Sequence, residues 1–163
     1  MRPGIRKLID TPLGRMTLWV TPVGLAGAWF HDQAHAPVWD TLGPEGQHPW
    51  LDRAEAWLQT YFSGQIAPVT VPLDLSRGTP FQQGVWRALQ SIEPTRTTTY
   101  GALAERLGRP NSARAVGAAI GRNPLSIVVP CHRVMGASGQ LTGYAGGLWR
   151  KEALLKLELE RAL

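Results

Sequence analysis

Near its start the chain turns back on itself twice, at "TPLG" (Thr11 to Gly14) and "TPVG" (Thr21 to Gly24). Proline presets φ for a tight turn and glycine closes it. The segments they separate, "RKLID", "RMTLWV" and "GLAGAWF", read as strands. Met16, Leu18 and Val20 alternate with Thr17, Trp19 and Thr21, the period of a half-buried strand. A small antiparallel meander is predicted. "HDQAHAPVWDTLGPEGQHP" is turn-rich and irregular. "WLDRAEAWLQTYFSG" is predicted helical, with Leu51, Ala54, Trp57, Leu58 and Tyr61 on one face and Gly64 as its stop. "APVTVPLDLSRG" reads as a proline-containing edge strand leading into a linker.

The pattern then changes to short helices. Thr79 is placed to cap a helix with Pro80 at its first position, and Phe81, Val85, Leu89 and Ile92 form its apolar stripe. "TTTYGALAERLG" predicts a second helix, capped by Thr98 or Thr99 and closed at Gly108. "SARAVGAAIG" predicts a third, narrow and rich in Ala and Gly, ending at Gly121. Two short helices across "GRPN" match a helix-turn-helix. Such pairs also occur in proteins that never touch DNA, but Arg106, Arg109, Arg114 and Arg122 put charge on and beside the second helix. The expected division is an α/β domain over residues 1–76 and a mainly helical one over 77–163.

Charge follows this division. Residues 1–80 carry six Lys/Arg against seven Asp/Glu, a net of −1; residues 81–163 carry eleven against five, a net of +6. The sidedness of the overall +5 favours a polyanion partner for the second half. No run approaches the ~18 apolar residues of a membrane helix, and "MRPGIRKLIDTPLG" has no signal-peptide core, so a cytoplasmic location is expected, on the nucleoid if bacterial.

Cys131 is the only cysteine, so neither an internal disulfide nor a cysteine-based zinc site is available. His31, His35 and His48 read as loop histidines, and no metal or cofactor is expected. A free cysteine is most often a small buried hydrophobe. This one follows the apolar run "SIVV" and Pro130 and precedes His132 and Arg133. An imidazole or guanidinium in contact would raise its thiolate fraction. Sequence neighbours do not face each other in a strand or a helix, so activation by His132 needs a turn or a bridging water.

"PCHRV" (130–134) resembles the acceptor signature of the O6-alkylguanine-DNA alkyltransferases, the methylated-DNA–protein-cysteine methyltransferases. "RAVGAAIGRNP" before it, "GYAGGLWRKEALLKLE" after it and "FQQGVWRALQSIEPTRTTTYGALA" upstream agree with that family in order and spacing, over roughly residues 79–160. For the first half the resemblance implies a small ribonuclease-H-like domain. It implies Cys131 as the acceptor nucleophile, His132 as a water-bridged base and Glu158 as the carboxylate orienting that histidine. On a helix through "LLKLELERAL", Leu154, Leu155, Leu159 and Ala162 share a face, and Glu158 falls inside it. A carboxylate there is costly unless paired; the alternative is an exposed glutamate on a frayed last turn.

By the same resemblance Asn123 holds the active-site turn, and Tyr100 donates to guanine N3 as the purine leaves. Arg114 fills the gap in the duplex. Ala113, Ala115, Gly117 and Arg133 join Tyr100 and Arg114 on DNA. Val134, Tyr144, Ala145 and Gly146 line the base pocket, Ala145 standing where some relatives carry serine. The function implied is single-turnover repair, the alkyl group passing from O6-alkylguanine in double-stranded DNA irreversibly to Cys131. Binding is expected in the minor groove, with little sequence preference, by a monomer, cooperativity being left open. The rivals are a lesion-sensing or regulatory DNA-binding protein without transfer, and a cysteine hydrolase, which would turn over.

Overall fold

The computed structural model describes residues 4–161. The backbone divides into two compact units. The first comprises the chain up to Arg77 together with Pro124–Val128, and the second Gly78–Asn123 together with Val129 onward. This differs from a single cut after residue 76, because five residues in the middle of the helical half group with the first unit.

In the first unit, β1 (Ile5–Thr11), β2 (Gly14–Val20) and β3 (Leu25–Phe30) form an antiparallel meander. Ile9 pairs with Met16, and Met16 with Phe30. The two turns owe their shape to threonine as much as to proline. Thr11 Oγ1 accepts from Leu13 N at 3.2 Å and Thr21 Oγ1 from Val23 N at 3.2 Å, each hydroxyl supplying a bond that the turn backbone lacks. Gly24 is required by close approach: a Cβ there would lie 2.5 Å from Pro72 O.

β2 is not half-buried as its alternation suggested. Every residue from Met16 to Val20 is buried. α1 (Pro49–Ser63) packs on the sheet through Leu51, Ala54, Leu58 and Tyr61, while Trp57 is only half-buried. Trp19 packs with Ala26, Trp29 and Leu42, with Trp39 against them and the Arg77 guanidinium 5.2 Å above the Trp19 ring. Tryptophan and threonine at alternate positions are therefore core residues too. Trp19 Nε1 meets its polar need at Leu42 O, 2.7 Å away.

The segment 67–78 does not form the edge strand read from its sequence. It makes one isolated parallel bridge, Leu25 with Leu73, flanked by Leu25 N to Pro72 O and Asp74 N to Leu25 O, both 2.8 Å. Its prolines remove the donors that a longer ladder needs. A second bridge, Ala28 with Leu125, joins Pro124–Val128 to the same strand.

The second unit contains α2 (Pro80–Leu89), α3 (Tyr100–Arg106), α4 (Ala113–Gly121) and α5 (Leu148–Arg161). Thr79 and Gln82 form a reciprocal capping box at α2, and Thr99 Oγ1 accepts from Ala102 N at α3. The α2 stripe is Val85, Trp86 and Leu89; Ile92 is buried just beyond the helix, and Phe81 is half-buried. Trp86 does more than pack, since its Nε1 donates to Ala119 O at 2.8 Å and ties α2 to α4. Two short strands, β4 (Thr98–Thr99) and β5 (Val134–Met135), pair in parallel, Thr98 beside Val134. That pairing brings the start of α3 next to the segment containing Cys131.

Candidate active site

The chain re-enters the second unit at Val129 and makes a 3-10 turn, Cys131–Arg133. Cys131 N bonds to Val129 O at 2.8 Å and Arg133 N to Pro130 O at 3.1 Å. Asn123 Nδ2 donates to Val129 O at 2.9 Å, so the residue that ends one crossing of the chain fastens the start of the return. The turn answers the adjacency question. Cys131, His132 and Arg133 are all buried, and the last two converge on one carboxylate from α5.

That carboxylate is Glu158. His132 Nε2 lies 2.6 Å from Glu158 Oε2, Arg133 Nε donates to Oε1 at 2.8 Å, and Arg133 Nη2 to Oε2 at 3.0 Å. Arg133 Nη1 also donates to Ile92 O at 2.5 Å. The forked guanidinium holds Glu158 as a carboxylate, which can only accept. Nε2 must then carry the imidazole proton. Burial lowers the His132 pKa from its ordinary value, opposed by the hydrogen bond and charge of Glu158 and assisted by the charges of Arg133 and Lys151. The ring is neutral near pH 7, so Nδ1 keeps its lone pair, and this buried atom has no hydrogen-bond partner among the described residues. It is a base whose tautomer is set by its neighbour.

Cys131 is 6 % exposed, and burial raises its thiol pKa. The opposing influences are a hydrogen bond with Asn123, the Lys151 ammonium, a hydrogen bond with its own backbone N–H and one with Tyr144. Of the residues expected to line a base pocket, Tyr144 hydrogen-bonds to Cys131 and Val134 directly follows the turn. Val134 is fully buried, Gly146 is buried, and Tyr144 and Ala145 are half-buried. The half-buried Tyr100 opens α3, and its hydroxyl accepts from Thr142 Oγ1 at 3.3 Å, leaving its own proton to give. On α4, Gly117 faces the Tyr100 ring, and Arg114 and Ala115 are exposed.

A family model described as the 6-O-methylguanine DNA methyltransferase DNA binding domain matches residues 80–160. The methylated-DNA–protein-cysteine methyltransferase of Mycolicibacterium paratuberculosis is 47 % identical over 152 residues, 93 % of this chain and 90 % of that protein. The chain belongs to this family. The Salmonella typhimurium methylated-DNA–protein-cysteine methyltransferase is 56 % identical over 101 residues, 62 % of this chain and 59 % of that one. The solved structure of Mycobacterium tuberculosis OGT in complex with DNA matches with a TM-score of 0.86 at 43 % identity, covering 96 % of this chain and 94 % of that one.

Within this methyltransferase chain several expectations need correction. Arg133 is not available to DNA phosphates: it is 7 % exposed and its donors are taken by Glu158 and Ile92. Glu158 is buried, but the stripe proposed around it is misplaced. Leu159 is 62 % exposed, Leu155 is half-buried, and Ala162 lies outside the described residues. The buried residues on α5 are Arg150, Lys151, Leu154 and Glu158, the last three spaced i, i+3, i+7. Lys151 was missed altogether. It is fully buried, and its Nζ donates to Val134 O at 2.6 Å and Thr142 O at 2.7 Å. The signal was present, since the same periodicity that places Glu158 inward places Lys151 inward too.

The other histidines have local tasks. His31 Nε2 lies 2.8 Å from Thr17 Oγ1, and His48 Nδ1 accepts from Trp50 N at the start of α1. His35 has a positive φ of 63°.

Proposed function

We propose that this chain repairs O6-alkylguanine in double-stranded DNA by moving the alkyl group to Cys131, once per molecule. The observation that carries this is the chain's sole thiol on a turn whose next residue is a neutral, Glu158-oriented imidazole with a free Nδ1 lone pair. The thiol proton passes through a bridging water to His132 Nδ1. The sulfur electron pair attacks the alkyl carbon, the S–C bond forms and the C–O6 bond breaks. The electron pair of that bond leaves with guanine, and Tyr100 donates its proton toward guanine N3. The product thioether has no carbonyl for water to attack, so the protein is spent. Sulfur suits saturated carbon better than a hydroxyl does.

A base within the duplex is out of reach, so the nucleotide rotates out at a cost of a few kcal/mol. In this reading α3 and α4 are a helix-turn-helix on the minor groove, with Ala113, Ala115 and Gly117 giving close backbone approach and Arg114 filling the vacated stack. Val134, Tyr144, Ala145 and Gly146 receive the base. The first unit is read as a ribonuclease-H-like domain, and the protein as a cytoplasmic monomer. Incubation with duplex containing O6-methylguanine is expected to add one methylene mass to the peptide bearing Cys131, reaching one equivalent and stopping. An unmodified Cys131 with lesion in excess would return the protein to the lesion-sensing reading, and continued turnover to the hydrolase.

A further inference from the structure

Lys151 is a fully buried ammonium that the repair chemistry above leaves unused. Its hydrogen bonds run to backbone carbonyls alone: Val134 O, Thr142 O and, at 3.4 Å, Gly143 O. Among the described residues it has no ion pair with a carboxylate. Burying a charge is costly unless an opposite charge or dense hydrogen bonding offsets it. Carbonyl dipoles satisfy its donors, but they supply no net negative charge. The buried carboxylate two turns along the same helix, Glu158, is already engaged by Arg133 and His132.

One group close to Lys151 can become an anion. Val134, whose carbonyl anchors Nζ, lies three residues after Cys131, and Cys131 is the only charge partner acting on the ammonium in its favour. We propose that Lys151 is the counter-ion of the Cys131 thiolate, a positioning residue that lowers the cost of ionising the sulfur inside a closed site. The proposal rests on Cys131 being the alkyl acceptor.

The groups facing the sulfur are few enough to apportion. Asn123, two residues after α4, and Tyr144, in the loop before α5, reach it by hydrogen bonds. His132 beside it is neutral, and Arg133 is neutralised by Glu158. Lys151, from α5, is thus the uncompensated positive charge that acts on it. Burial drives the thiol pKa up and drives the ammonium pKa down; ionisation of the sulfur relieves both at once. Transfer removes that relief. A thioether is neutral, so after repair Lys151 keeps a buried charge with nothing to balance it.

Iodoacetamide labelling of Cys131, followed by intact mass across pH, reads the thiolate fraction without DNA, so its outcome is separate from failure of the repair reading. Lys151→Gln is expected to move the labelling inflection upward by about one pH unit, roughly tenfold slower labelling below it. Lys151→Arg, keeping the charge, should return it toward the parent value, and Lys156→Gln, an exposed lysine on the same helix, should leave it in place. If Lys151 only clamps the loop, Lys151→Gln slows repair with the inflection unmoved, and the proposal fails. Should Lys151→Gln not fold, the unchanged protein still decides. With lysine Cε carbons labelled for NMR, the Lys151 signal should titrate at lower pH once Cys131 is methylated. Titration at the same pH in both forms would overturn the counter-ion role.

Discussion

Glu158 serves two cationic or potentially cationic neighbours, and the division of its oxygens explains why the acceptor motif contains an arginine. If His132 were its only partner, a buried carboxylate 2.6 Å from an imidazole could draw a proton onto the ring and leave a charged pair. Arg133 supplies the compensating charge instead, through two bonds at 2.8 and 3.0 Å, and lets the histidine stay neutral. A structural ion pair and a DNA contact make different demands on Arg133, and one substitution separates them. Arg133→Met should cost about 3–5 kcal/mol of stability by stranding the Glu158 charge, measured by urea unfolding. The slope of log binding against log salt for undamaged duplex should not change. A phosphate contact would instead reduce that slope by about one with little loss of stability.

At the level of elements, much rests on hydrogen bonds at helix ends. α2 begins with both halves of a capping box, Thr79 Oγ1 accepting from Gln82 N at 3.1 Å and Gln82 Oε1 from Thr79 N at 2.9 Å. Thr79→Ala should cost about 1 kcal/mol, seen as a lower urea midpoint with unchanged slope. α4 carries the other test. Arg114 is exposed, so Arg114→Ala should leave stability within about 0.5 kcal/mol yet slow transfer from duplex far more than from the free O6-alkylated base; equal slowing would remove its part in holding the duplex open. These elements were legible because their signals are local: Thr-Pro pairs, Gly64 and Gly108 in left-handed conformation, and period-two or 3.6-residue patterns. What was not legible depended on distant partners. Nothing within "RMTLWV" says that both of its faces are covered, and nothing in "APVTVPLDLSRG" says that a single bridge replaces a ladder. The fate of Arg133 was hidden for the same reason, and so were the carbonyls that receive Lys151, although its inward placement followed from the spacing to Glu158. A basic residue in a basic half reads as a DNA contact until a buried carboxylate or a set of carbonyls is seen around it.

Across the whole molecule, each of the two units holds a histidine in its neutral form. His132 in the second unit and His31 in the first are both held below their ordinary pKa, chiefly by burial, with Arg15 adding to the effect at His31. A histidine with a lowered folded pKa binds fewer protons folded than unfolded as pH falls. Its stabilising contribution is therefore complete above the unfolded value of about 6.5 and is lost on acidification below it. Stability to urea should fall between pH 7 and pH 5, before most carboxylates protonate. The His132 share should be the larger, since His132 is fully buried and His31 only half-buried. His132→Gln should flatten this acid limb more than His31→Gln, and the double variant most of all, whatever each costs at pH 7. If the limb keeps its full slope in the double variant, protonation elsewhere is responsible, and the neutral imidazole on which the proposed transfer step relies loses its thermodynamic support.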